Sequence, residues 1–127
     1  MTGSFARGSI DSWGIVTSAT TNLAHARLRA SGLSVPKVLV TSDLTKRGKP
    51  FPDCYLLAAR KLNCQPHMCL VFEDTENGVL AATRAGMAVA LVNSAAFVPG
   101  VRISIPGFLG IRVKRLSGNI SVEFDAL

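Results

Sequence analysis

At 127 residues the chain has the length of one compact domain. Hydrophobic residues make up 48% of it and charged residues 17%, which allows a packed core and excludes wholesale disorder. The formal charge is +6, but the basic residues are scattered, with dense groups only at Lys46-Arg47 with Lys49 and at Arg112 with Lys114-Arg115. No aromatic-interleaved basic patch accompanies them, so no nucleic acid is expected as a partner, whereas an anionic small substrate such as a phosphate ester suits the charge. No apolar run approaches the roughly twenty residues of a membrane span. Residues 1–12 are Gly/Ser-rich without an apolar h-region, so a signal peptide is not expected. Cys54, Cys64 and Cys69 are odd in number and form no CxxC, which reads as reduced, partly buried thiols of a cytoplasmic protein.

In chain order, strands and helices alternate. Gly14-Ile15-Val16-Thr17 is a short apolar run ending at Ser18, the pattern of a buried parallel strand. Thr20 or Thr21 can cap a helix that carries Leu23, Ala24, Leu28 and Ala30 and stops at Gly32. Lys37 to Thr41 is a second strand. After Pro50 and Pro52, Tyr55, Ala58, Ala59 and Leu62 form one apolar helical stripe. Cys69 to Phe72 is a third strand, ending at Glu73-Asp74, and Asp74 or Thr75 caps a third helix that runs to about Gly86. Ala88 to Val92 is a fourth strand. Pro99, Gly100, Pro106, Gly107 and Gly110 make the next stretch loop-like, and the alternation in Ile111–Arg115 and Ile120–Phe124 predicts a C-terminal β-hairpin. The order argues for an α/β fold with a mostly parallel sheet and flanking helices.

Ligands of such sheets bind at the carboxyl ends of the strands. Ser18 there precedes a helix N-terminus, a natural anion site. Lys49, stiffened by Pro50 and Pro52, is suited to hold a phosphate. Glu73 and Asp74 are adjacent carboxylates whose repulsion a cation would relieve, and Mg²⁺ prefers such oxygen ligands. Each residue also has a plain structural use: a helix cap, a solvated lysine, an acidic start to a helix. Their order along successive strand ends is the informative feature. His25 and His67 lack sequence partners, Trp13 reads as packing, and the basic hairpin cluster as a solvated face.

Gly14-Ile15-Val16-Thr17-Ser18, Arg47-Gly48-Lys49-Pro50-Phe51-Pro52-Asp53 and Val71-Phe72-Glu73-Asp74-Thr75-Glu76-Asn77-Gly78-Val79 resemble the second, third and fourth motifs of haloacid dehalogenase-type phosphatases. The likeness spans about Gly14 to Asn93 and is greatest to the sugar-phosphatase and β-phosphoglucomutase branch. It implies a Rossmann-like core and a Mg²⁺-dependent hydrolase of small sugar phosphates. By the resemblance, Ser18 contacts the transferring phosphoryl group with help from the Ala19 N–H and from Asn22. Lys49 holds nucleophile and phosphate together, and Asp74 with Glu73 binds Mg²⁺.

The family's first motif, Asp-x-Asp-x-Thr/Val, supplies the nucleophile, and nothing in residues 1–13 matches it; Asp11 is a lone aspartate. The cap domain that sets sugar specificity is not found either. Asp43 and Asp53 do not match the first motif's setting. The expectation is therefore an incomplete core: an N-terminal remnant over 1–12, a partial catalytic core over 13–98, and a loop with the hairpin of the same domain over 99–127. Such a chain is expected to be inactive alone, since covalent catalysis needs its nucleophile. The missing strand would lie mid-sheet, between the strands ending at Ser18 and Glu73, and its loss leaves edges that invite association. A non-catalytic phosphate- or Mg²⁺-binding remnant, or half of a split protein, is the alternative.

Overall fold

The computed structural model describes residues 13–92, 98–105, 111–116 and 119–124. The described elements are β1 (Gly14–Val16), α1 (Thr21–Ala30), β2 (Val38–Val40), α2 (Asp53–Lys61), β3 (Leu70–Glu73), α3 (Glu76–Arg84), β4 (Ala88–Val92), β5 (Ile103–Ile105), β6 (Ile111–Leu116) and β7 (Asn119–Phe124). One-turn 3-10 helices at Ser42–Leu44 and Pro66–Met68 lie in the connections.

The expected α/β architecture is present, with the parallel pairing in two pieces. β1 pairs with β2, Val16 opposite Val40. β3, β4 and β5 form a second parallel sheet, Glu73 opposite Leu91 and Val92 opposite Ile105. Among the described residues no strand pairs with the other edge of β1 or of β3. β5 departs from the expected loop. Ile103–Ile105 is too short for a periodic signal and precedes Pro106, but it supplies β4 with a second parallel partner. β6 and β7 form the expected antiparallel hairpin, with Leu116 opposite Asn119; the connecting Ser117 and Gly118 fall outside the described residues, as do Asp11 and Asn93.

The helices end as their sequences dictate. Thr20 caps α1 by accepting from the Leu23 N–H, and Thr75 caps α3 by accepting from the Gly78 N–H, so of the two candidate caps Thr75 fills the role. α1 closes at Gly32, whose φ of +70° is the left-handed conformation that a side chain would strain. Val40, Val71, Val89 and Leu91 from the strands pack with Tyr55, Ala58 and Ala59 of α2 and Val79, Ala81 and Ala82 of α3 into one core. The alanines let both helices approach the strands closely. α1 contributes only Ala24 to the buried set.

Candidate functional site: a cleft between β1 and β3

The carboxyl ends of β1 and β3 open onto one cleft of about 750 Å³, lined by Val16, Thr17, Ser18, Arg27, Lys49, Phe72, Glu73, Asp74, Thr75, Glu76 and Asn77. The fold thus brings Ser18, Lys49, Glu73 and Asp74 together from three separate segments. Ala19 and Asn22 are not part of the lining. Arg27, unmarked in the sequence because basic residues are common late in helices, adds a cation from α1.

The β1 wall is a polar turn pinned to β2. The Thr17 N–H donates to Val40 O at 2.9 Å, and the Ser42 N–H donates to Ala19 O at 2.9 Å. The Ala19 N–H, expected to face a phosphate, donates instead to Thr17 Oγ1 at 3.1 Å. Ser18 itself is exposed, and Asn22 is exposed in the first turn of α1. Behind the turn, Asp43 accepts from the Thr21 N–H at 3.1 Å and from the Thr21 hydroxyl at 2.8 Å. Hydrogen bonds from the Thr41 and Thr21 hydroxyls hold the Asp43 carboxyl below its ordinary value.

The β3 wall is a buried ionic network. The Lys49 and Glu73 side chains are paired and only 12% and 5% exposed. The Tyr55 hydroxyl donates to the same Glu73 oxygen that holds Lys49. The other oxygen accepts from the Asp74 N–H at 3.2 Å and from the Thr75 hydroxyl at 3.5 Å. Burial, then the charge of Glu73, pushes the Tyr55 hydroxyl far up, so it stays a donor. Lys49 also lies 3.5 Å from Val16 O, linking the two walls, and 5.3 Å from the centroid of the Tyr55 ring. The sequence placed Tyr55 only in an apolar stripe; the signal that could have marked it is that a core-facing tyrosine needs a partner for its hydroxyl.

Gly78 makes room for this network. A Cβ at Gly78 would overlap the Glu73 carboxyl group, so the first turn of α3 can lie on the carboxylate only with glycine there. Arg47 and Asp53 hold the loop that carries Lys49, by hydrogen bonds of 2.9 and 3.3 Å, with the guanidinium 4.5 Å from the centre of the Phe51 ring. Asp53 and Asp43 are thus both engaged in holding local structure.

As a metal site the cleft is partial. Both Glu73 oxygens are already engaged, whereas Asp74 is exposed in the lining. Among the described residues no group of three His, Cys, Asp or Glu side chains could hold a metal ion. The open carboxylate of Asp74, with that of Glu76 also in the lining, still fits Mg²⁺, which keeps several waters and is commonly held by one or two carboxylates with substrate phosphate.

The family model of a haloacid dehalogenase-like hydrolase matches residues 6–86, more than half of the chain. Hexitol phosphatase A of Escherichia coli is 47% identical over 87 residues, covering 68% of this chain and 40% of that protein. The fructose-1-phosphate phosphatase YqaB of the same organism is 45% identical over 65 residues, 51% of this chain and 32% of the relative. The crystal structure of CbbY from Rhodobacter sphaeroides in complex with phosphate superposes with a TM-score of 0.69 at 26% identity, over 75% of this chain and 46% of that one. The chain therefore spans less than half the length of these relatives. Among the described residues no helix is long and apolar enough to cross a membrane. The match over residues 6–86, the three motifs and the parallel strand ends that gather them agree: the chain belongs to the haloacid dehalogenase-like hydrolases, on the branch that includes sugar phosphatases.

Proposed function

We propose that the cleft is the phosphate- and Mg²⁺-holding part of a site that hydrolyses small sugar phosphates in the cytoplasm. The aspartate nucleophile comes, on this reading, from an Asp-x-Asp-x-Thr strand seated between β1 and β3, and the chain without that strand does not turn over substrate. The carrying observation is that Ser18, Lys49 and Asp74 line one cleft at the strand ends. Because no strand among the described residues pairs with the other edge of β1 or of β3, association through those edges is the natural way to complete the site.

Lys49 and Ser18 carry the phosphoryl contacts. Lys49 is held between Glu73 and Val16 O, so its one remaining N–H is fixed before substrate arrives. The exposed Ser18 hydroxyl can donate to a phosphoryl oxygen, while Ala19 would join only by giving up its bond to Thr17. Asp74 holds the metal, which would neutralise charge on the phosphoryl oxygens. Glu73 acts through Lys49, as a positioning residue, and not as an open ligand. Asn22 lies outside the lining and takes part only if substrate extends over the start of α1.

The test is an assay of fructose 1-phosphate and hexitol phosphates with Mg²⁺. The chain alone should stay at background. Co-expression with a segment bearing the Asp-x-Asp-x-Thr strand should restore turnover, and Asp74→Asn should remove it. Turnover by the chain alone that Asp74→Asn abolishes would overturn the need for the strand. If the supplied strand restores nothing but Mg²⁺-dependent binding of inorganic phosphate persists, the non-catalytic reading holds.

A further inference from the structure

The α2–β3 connection lies outside the cleft and brings two of the three cysteines together. α2 ends at Leu62, and Asn63, at φ +55°, turns the chain back so that the Cys64 N–H donates to Ala59 O at 3.0 Å. The one-turn helix Pro66–Met68 then returns the chain, and the Cys69 N–H donates to Pro66 O at 3.0 Å. Both thiols converge on one acceptor: Cys64 Sγ lies 3.6 Å and Cys69 Sγ 3.4 Å from the carbonyl oxygen of Gln65. That shared atom confines the two sulfurs to within the sum of those distances, and both are partly exposed, whereas Cys54 is buried.

We propose that Cys64 and Cys69 are a reversible redox modification site, closing to an intrachain disulfide by exchange with a low-molecular-weight disulfide. Cys64 Sγ, as thiolate, attacks one sulfur of the external disulfide; that S–S bond breaks, and one thiolate leaves and takes a proton from water. Cys69 then loses its proton and attacks Cys64 Sγ, expelling the second external thiolate. The protein gives up two electrons and two protons, and the external disulfide becomes two thiols.

The order of attack follows from the surroundings. Burial, with the Cys64 thiol beside it, pushes the Cys69 thiol up, which suits it to react second, as the resolving thiol. Cys69 is also the less movable partner, since it packs against the core and its carbonyl oxygen accepts from the Ala88 N–H at 3.3 Å. Closure would fasten the end of α2 to the root of β3, the two elements whose other ends hold Tyr55 and Glu73.

The experiment equilibrates the full chain with reduced and oxidised glutathione in graded ratio, blocks free thiols in acid, and maps linkages by peptide mass spectrometry. The expected result is a Cys64–Cys69 link whose occupancy follows the ratio and reverses with dithiothreitol, Cys54 remaining free. Cys69→Ser should stop at a glutathione adduct on Cys64. Cys64→Ser should leave Cys69 reacting at least about tenfold more slowly than Cys64 does in Cys69→Ser. A wild-type chain that accumulates the Cys64 adduct without closure, or that links Cys54 or a second molecule instead, overturns the proposal. The readout does not depend on phosphatase activity.

Discussion

The two walls of the cleft are built on opposite principles. On the β3 side, Tyr55 and Glu73 are buried, Lys49 and Tyr55 both bond Glu73, and the Glu73 carboxylate lies under the first turn of α3. On the β1 side, Ser18 is exposed, and its neighbours satisfy their backbone through a threonine hydroxyl and the end of β2. A buried charge network is costly to disturb, because removing one member leaves another desolvated and unpaired, whereas a turn at the surface exchanges its partners for water cheaply. The β3 wall thus joins stability to ligand contact at Lys49 and Asp74, whereas the β1 wall offers ligand contact at Ser18 with little stability at stake.

Substitutions can break or sharpen this contrast. Lys49→Met, which strands the Glu73 carboxylate, should destabilise the chain by about 3–5 kcal/mol in urea unfolding, as expected for breaking a buried pair. A loss under ~1 kcal/mol would mean the network is not holding the β3 wall. Gly78→Ala forces a methyl group against the same carboxylate and should cost about 1–3 kcal/mol in the same measurement. Ser18→Ala should change stability by less than ~0.5 kcal/mol, as surface changes do. In calorimetric titration it should nevertheless weaken inorganic phosphate binding in the presence of Mg²⁺ roughly tenfold, the scale of a lost hydrogen bond to a charged group. Equal effects of Ser18→Ala and Gly78→Ala on stability would erase the distinction.

The smallest expected effect is one of pH. The Asp43 carboxyl is held below the ordinary 3.8 by Thr41 and Thr21, so its ionised form is favoured by folding. Its contribution is fully present above 3.8 and is lost as pH falls below that value through the native pKa. Asp43→Asn should therefore flatten the fall of stability with acid in that range, measured by circular dichroism, with little change at neutral pH.

Much of this arrangement was legible in the sequence, because each signal was local. β1, β2, β3 and β4 announce themselves as apolar runs, the α1 and α3 caps as Thr20 or Thr21 and Asp74 or Thr75, and Ser18, Lys49 and Glu73-Asp74 by position at strand ends. The partners were not legible. Glu73 and Asp74 are adjacent and identical in charge, yet alternation at the end of β3 buries one and exposes the other, and which is which depends on where Tyr55 and Lys49 arrive from α2 and its preceding loop. β5 was hidden for a similar reason, since only the free edge of β4 makes a strand of Ile103–Ile105. The close approach of Cys64 and Cys69 needed the turn at Asn63.

The contact between Gly78 and Glu73 also constrains how the sequence can change. The space a side chain at 78 would need is occupied by the end of the side chain at 73. Enlarging one therefore requires shortening the other, and Glu73→Asp should recover part of the stability lost in Gly78→Ala while drawing the carboxylate away from Lys49 and Tyr55. Positions 73 and 78 should then vary among related chains as a pair, so that an alanine or serine at 78 would mark a sequence that has given up the lysine clamp.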